Sequence, residues 1–386
     1  MIPPPSARRS VAGVLPVWLL LAGCGATERY PRPDPAEGAP AAGGGGTNAP
    51  GGGGTSAGTS AGGTSEGTGG AIGLEPTGPT IEYANPPREE GPLGWASVNA
   101  DGQDGTFGGR GGTVVLAATA QQLRDALTGA DARIVRVTNS FDAGQVFFGS
   151  NKTVEGAEGV TLRISMRIEG QSNIIVRDLA LRGNGCVGLT DCSAGADVVE
   201  IRGSDHVWFH HVDVADGDDG NLDIVRGSDY VTVSASKFSY SNANRAHRFS
   251  NLIGNGDDVP EDVGHLRVTW HDNWWADNVD QRMPRTRRGR IHVFNNLFTS
   301  VGNSYCTNAG FEASLLVENN VYIGVSDPLD PSDNGDMLAR GNVFIDTEGT
   351  SAASGVGFTP EYAYTLASTE GLQELIQSEA GPRPAP

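Results

Sequence analysis

Basic residues are the scarce class in this 386-residue chain: 27 Lys and Arg face 46 Asp and Glu, a formal net charge of -19. A body of that charge repels polyanions, so nucleic acid is not an expected partner of the molecule as a whole. Helix signals are few as well. After residue 91 only two segments read as helices, Ala120 to Leu127, with Leu123, Ala126 and Leu127 at helical spacing, and Thr369 to Ser378. The apolar run from Val11 to Ala22 is short and interrupted by Pro16, which argues against a membrane span. From Gly25 to Glu90 large apolar residues are almost missing, and Gly, Ser, Thr, Pro and Ala dominate. Such a segment cannot bury enough surface to offset its ordering entropy. It is expected to be a disordered tether, and a coil of about 66 residues spans roughly 45 Å root-mean-square.

Arg8 and Arg9 followed by the apolar run read as a secretion signal over residues 1–24. The run ends Leu21-Ala22-Gly23-Cys24, which resembles a bacterial lipobox. That resemblance implies acylation at Cys24, a lipid anchor in the cell envelope, and reach supplied by the tether 25–90. An ordinary cleaved signal with an incidental cysteine is the alternative. Cysteine is scarce too, at four residues. In an exported chain Cys186 and Cys192, which bracket a short polar loop, predict a local disulfide. No His or further Cys lies near them in sequence, so they do not suggest a metal site. Cys306 is left over and is expected to be buried and inert.

What the chain does contain is a repeat. Ser172-Asn-Ile-Ile-Val, Ser204-Asp-His-Val-Trp-Phe, Ser228-Asp-Tyr-Val-Thr-Val, Gly264-His-Leu-Arg-Val-Thr-Trp, Arg290-Ile-His-Val-Phe and Ser314-Leu-Leu-Val-Glu are one phrase with variations. Asn273, Asn296, Asn320 and Asn342 recur at spacings of 23, 24 and 22. Short strands repeating at that period predict a solenoid, here an all-β parallel β-helix over residues 91–386. The asparagines would then stack coil on coil, their amides hydrogen-bonding along the axis. A propeller blade would need about 40 to 50 residues, and a leucine-rich repeat would need a leucine consensus that is missing.

Against the acidic background, Arg282-Met-Pro-Arg-Thr-Arg287-Arg-Gly-Arg290 holds five arginines. It runs into the alternating Ile291-His-Val-Phe-Asn-Asn296. Taken alone, the cluster also fits a solvated or nucleic-acid-binding patch. Other segments decide the matter: Gly94-Trp-Ala-Ser, Gly108-Gly-Arg-Gly-Gly-Thr-Val-Val, His206-Val-Trp-Phe-His-His211, Asp219-Gly-Asn-Leu-Asp223 and Asn308-Ala-Gly-Phe-Glu-Ala. In this order, on a β-helical repeat, they resemble the pectate lyases of polysaccharide lyase family 1, from Gly94 to about Gly381. The resemblance implies a right-handed helix, a monomer, and polygalacturonate or pectin as substrate.

It further implies Ca²⁺ at Asp197, Asp219 and Asp223. Asp219 and Asp223 are four apart and would share a face if they lay in one strand, and hard carboxylate oxygens suit Ca²⁺. Asp216 and Asp218 read as acids on a solvated face. Some relatives carry another acid two positions before the residue matching Asp197, where this chain has Gly195. By the same resemblance Arg282 is the base that removes the C5 proton and Arg287 holds a substrate carboxylate. An arginine base, with an ordinary pKa above about 12, implies activity favouring alkaline pH. Arg285, Arg288 and Arg290 are expected to line the groove rim or pair with acids. Many relatives also place a lysine three residues before the Leu of a Leu-x-Gly step. Counting back from Leu252 lands on Phe249, so Arg248 is expected to take that role, with His247 or Arg245 as second choice. His210, His211, His271 and His292 are expected in hydrogen-bonded positions rather than around a transition metal. The alternatives are a polygalacturonase, since Gly217-Asp-Asp219 mimics its acid step, a pectin lyase, or a non-catalytic glycan-binding β-helix.

Overall fold

The computed structural model describes residues 91–185 and 195–383. Cys24, the expected signal and tether, and the pair Cys186 and Cys192 lie outside the described residues. What is described is a parallel β-helix in which each coil contributes up to three short strands. The first column runs from Thr113–Ala117 through Arg133–Val137, Lys152–Gly156, the first parts of Ser172–Arg182 and Asp205–Ala215, then Asp229–Ser234, Arg267–His271, Arg290–Phe294 and Ser314–Glu318 to Asp336–Arg340. The second carries Lys237–Ser239, Trp274–Trp275, Leu297–Phe298, Val321–Ile323 and Val343–Ile345. The third carries Val199–Arg202, Leu222–Val225, Asn251–Ile253, Arg285–Thr286, Thr307–Ala309 and Leu329–Pro331. The repeated phrase falls on the first column.

Alternation along each strand fills the bore. In the first column Val135, Val154, Val176, Phe209, Val233, Trp270, Val293 and Val317 are neighbours in register, and all are fully buried. In the second, Trp275, Phe298, Tyr322 and Phe344 stack ring on ring at 4.6, 4.3 and 5.2 Å, nearly parallel. Offset stacking of this kind adds to the area each ring buries.

The corner between the first and second columns explains the paired asparagines. Its first residue is left-handed in coil after coil: Asp272 (φ 58), Asn295 (φ 52), Asn319 (φ 48) and Gly341 (φ 67). Asn, Asp and Gly tolerate that conformation best. The second residue is the ladder asparagine. The Nδ2 of Asn273, Asn296 and Asn320 each donates to the Oδ1 of the next ladder member at 3.1, 2.9 and 2.9 Å. Backbone N–H groups of the same residues donate to the same oxygens. An Asn-Asn step therefore encodes a turn and a rung together.

The helix Ala120–Leu127 forms over the predicted span and buries Leu123, Ala126 and Leu127 against the first coils. Thr119 caps it by accepting from the N–H of Gln122. The second helix is Leu372–Glu379, starting three residues later than expected because Gly371 takes up a left-handed N-cap (φ 75). It lays Leu372 and Ile376 on Leu297 and Val321 of the second column. Cys306 is fully buried, as expected.

Candidate active site

The third column carries one outward-facing register line: Glu200, Asp223, Leu252, Arg285, Asn308 and Asp330. Successive members are about 4.8 Å apart, the spacing of paired strands. The predicted acids gather at its upstream end. Asp197 sits two residues before the strand Val199–Arg202, Asp223 lies in Leu222–Val225, and Asp219 lies in the preceding turn. The strand geometry expected to align Asp219 with Asp223 is therefore replaced by a turn that folds Asp219 back over the strand. Asp218, expected on a solvated face, is buried. It packs where a side chain at Gly195 would go, since a Cβ there would meet the Asp218 Cβ at 2.1 Å.

Gly220 lets the acids close in. A Cβ at Gly220 would lie 2.9 Å from both Asp197 Oδ1 and Asp223 Oδ1. Asp223 Oδ1 accepts from the N–H of Leu252 at 3.1 Å. Asp197 Oδ1 is inaccessible to solvent and has no hydrogen-bond partner among the described residues. Burial, then the nearby Asp219, pushes the Asp197 carboxyl up to about 7, against the pull of Arg282. Burial and Asp197 push Asp223 well above the usual carboxylate range. Among the described residues no three acidic, His or Cys side chains already stand in metal-binding geometry. The donor set nonetheless fits a hard cation: crowded carboxylates, one oxygen without a donor, and a cradle that any side chain at Gly220 would fill.

Arg282 faces this trio, close enough to draw both Asp197 and Asp223 down. Its backbone is left-handed (φ 65) and its carbonyl accepts from the N–H of Asn251 at 2.8 Å. An unbranched cation in that conformation carries local strain, which the surrounding ladder holds. The guanidinium lies 4.6 Å from the Phe249 ring centroid, and its Nε is buried without a partner among the described residues. Phe249 thus stands beneath the arginine as a flat support. His247 lies against Phe249, ring centroids 4.0 Å apart and planes tilted by 48°, and brings Nε2 to 3.1 Å from Asp219 Oδ1.

Of the remaining predicted residues, Arg287 donates through Nε to Asp257 at 2.9 Å and through Nη1 to the Gly254 carbonyl at 3.2 Å. Arg248 reaches the turn at Asn278, donating through Nη1 to its carbonyl at 3.1 Å. Arg245 is buried and its Nη2 holds the Gly217 carbonyl at 2.7 Å, bracing the turn that carries Asp219. The Tyr240 hydroxyl donates to the Phe249 carbonyl at 2.6 Å. Sequence reasoning gave Tyr240 and Phe249 no role. Their signal is spatial: both become neighbours of Arg282 only when the coils stack. The histidines are hydrogen-bonded: His210 to Ser234, His211 to two carbonyls, His271 to Asp272, and His292 to Glu318 and Tyr362.

A parallel β-helix with a carboxylate cluster and an unpaired arginine on one outer column is the scaffold of a polysaccharide lyase. The pectate lyase profile matches residues 84–383, and the chain belongs to the pectate lyase family. It is similar to pectate lyase A of Emericella nidulans, 33% identical over 305 residues covering 76% of this chain and 87% of that protein. Pectate lyase A of Aspergillus niger is 31% identical over 328 residues, 81% of this chain and 94% of that protein. Among solved structures, pectate lyase Bsp165PelA from Bacillus sp. N165, in complex with trigalacturonate, superposes with a TM-score of 0.62 at 24% identity, covering 75% and 98% of the two chains. The cedar pollen allergen jun a 1 superposes at 0.61 with 19% identity, covering 75% and 92%.

Proposed function

We propose that this lyase is Ca²⁺-dependent and cleaves polygalacturonate by β-elimination, leaving a 4,5-unsaturated sugar at the new end. The observation that carries the proposal is the crowded acid trio, with Asp197 Oδ1 unpartnered, set against Arg282, whose Nε is also unpartnered. Asp197, Asp219 and Asp223 would hold the cation. When bound, it supplies Lewis-acid withdrawal of charge from a substrate carboxylate, which acidifies the adjacent C5–H.

Arg282, in its neutral form, takes the C5 proton on a guanidine nitrogen. The freed electron pair forms the C4–C5 double bond, the C4–O bond breaks, and the departing oxygen takes a proton from solvent. Phe249 and the strained Arg282 backbone fix where that nitrogen sits, so little reorganisation is needed at reaction. Arg287, already oriented by Asp257, has Nη2 left for a substrate carboxylate. Arg248, anchored through Nη1 alone, has Nη2 left for a second.

The test is to incubate the protein with polygalacturonate and follow ultraviolet absorbance from the unsaturated product, with and without chelator. The expected outcome is absorbance that chelator abolishes and Ca²⁺ restores. Reducing ends without absorbance would mean hydrolysis, and chelator-insensitive absorbance would remove the cation. Secretion and acylation at Cys24 complete the proposal, with the lipid anchor placing the enzyme on the cell envelope. Cys24→Ala should move the protein from membrane to soluble fractions, and an unchanged distribution would contradict the anchor.

A further inference from the structure

The five clustered arginines do not share one fate. Arg287 pairs with Asp257 at 2.9 Å, Arg288 with Glu312 at 2.6 Å, and Arg290 with Glu361 at 3.5 Å. Arg282 belongs to the acid trio. Arg285 is left over: it is half-buried, and its side chain makes neither a hydrogen bond nor an ion pair among the described residues. Of the two expectations for it, pairing with an acid is not met among the described residues, and a place on the groove rim agrees with its half-burial.

Its surroundings repeat the pattern. Arg285 is in register with Leu252 on one side and Asn308 on the other, two coils along the column from Asp223. Asn308 donates through Nδ2 to Asp330 and Ser332, but its buried Oδ1 has no partner. Tyr305 lies beside Arg285, and its hydroxyl is likewise without a hydrogen bond among the described residues; burial pushes that phenol up to about 12. Burial also holds the Arg285 guanidinium below its ordinary value, with Arg287 and Arg282 adding to the effect against Tyr305 and Asp333. A cation, a hydroxyl and an amide oxygen therefore meet on one stretch of the column, each short of a partner. Of the three only Asn308 Oδ1 is closed off from solvent, so the Arg285 guanidinium and the Tyr305 hydroxyl keep polar atoms that a ligand can reach.

We propose that Arg285, with Tyr305 and Asn308, forms a uronate subsite about two coils downstream of the acid trio. Arg285 takes the sugar carboxylate through its planar fork, with the Tyr305 hydroxyl beside it and Asn308 next in register. A pyranose unit is comparable in length to the coil spacing of about 4.8 Å, so a chain laid along the column presents successive sugars to successive coils. The inference rests on the polygalacturonate reading and adds a carboxylate contact beyond the reacting sugars. Such a site favours de-esterified stretches, because a methyl ester cannot accept the fork in the same charged form.

Binding and turnover separate the two claims. Trigalacturonate and its methyl ester are titrated calorimetrically into Arg282→Lys and into the same protein also carrying Arg285→Gln, so that turnover does not intrude. Expected is an about tenfold weaker trigalacturonate affinity with Arg285→Gln, little change for the ester, and partial recovery with Arg285→Lys. On otherwise native protein Arg285→Gln should raise KM about tenfold with kcat near that of the parent. Its thermal midpoint should hold or rise, since a desolvated unpaired cation is removed. Equal trigalacturonate affinity with and without Arg285 overturns the subsite, as does a lowered midpoint with unchanged KM, which marks a structural residue. If the parent gives no ultraviolet product yet trigalacturonate binding depends on Arg285, the lyase reading falls and the subsite stands.

Discussion

At the residue scale, the site depends on groups that are short of partners in the protein alone. Arg282→Lys keeps a charge but loses the fork and the flat face that rests on Phe249. It should lower kcat by about 10³, the cost of removing one well-placed stabilising group, with folding and cation binding intact. Parent-like kinetics would remove Arg282 from the reaction. Asp223→Ala should instead raise the Ca²⁺ concentration for half-saturation, read by calorimetry without substrate. Arg248→Ala should cut kcat/KM at least about tenfold, and a parent-like value would move its assigned carboxylate elsewhere. The acids and arginines of this site were legible in the sequence because their types and order are distinctive. The support was not. Phe249 read as a lost lysine, yet it carries the Arg282 guanidinium. Asp218 read as a surface acid, yet it fills the place left by Gly195. Both depend on contacts between coils roughly 20 to 35 residues apart, which no local pattern encodes.

At the element scale, the repeat was legible because each coil satisfies the same two demands, an inward apolar face and a turn. The asparagine spacing gave the ladder directly, and the structure adds the left-handed residue before each rung. What the repeat could not give was the third column, where strands of two to four residues lie between loops of unequal length. Such short strands carry too few residues for a period to emerge. The ladder offers a graded test. Asn296 donates to the carbonyls of Trp270 and Phe294 and to Asn320, and accepts from Asn273. Asn296→Ala would strand several buried groups and should cost about 3 kcal/mol in urea unfolding. Asn342 sits at the partly exposed end of the same ladder, where water can replace lost partners, and Asn342→Ala should cost about 1 kcal/mol. Equal costs at the two positions would mean the stacking is not cooperative along the axis.

At the scale of the whole molecule, the C-terminal segment returns to the middle of the solenoid, and a histidine holds it there. His211 Nδ1 donates to the carbonyls of Glu379 and Gly381 at 2.9 and 3.0 Å. Arg383 then pairs with buried Asp178 at 2.9 Å, and the Gly381 N–H donates to the Ala235 carbonyl. Burial, reinforced by Arg383 and opposed by Asp178 and the two carbonyls, pushes His211 down to about 4. Its neighbour His210, 4.2 Å away ring to ring, is pushed down by burial as well. In the unfolded chain both return to about 6.5. Below that pH the unfolded state binds protons that the folded state refuses, so the contribution of these two histidines to stability falls as pH drops from about 6.5 to about 4. The raised Asp197 and Asp223 act against this, since they favour the folded state as they take up protons in the same window. Depressed carboxylates such as Glu318 and Glu155 act in a different window, since their unfolded forms titrate only near pH 4.3. His211→Gln can still donate to one of the two carbonyls but cannot take a proton. The variant should therefore show a flatter thermal midpoint between about pH 6.5 and 4.5, by a few degrees, while the steep loss at lower pH remains. Parallel curves for parent and variant across that window would show that His211 does not carry the linkage.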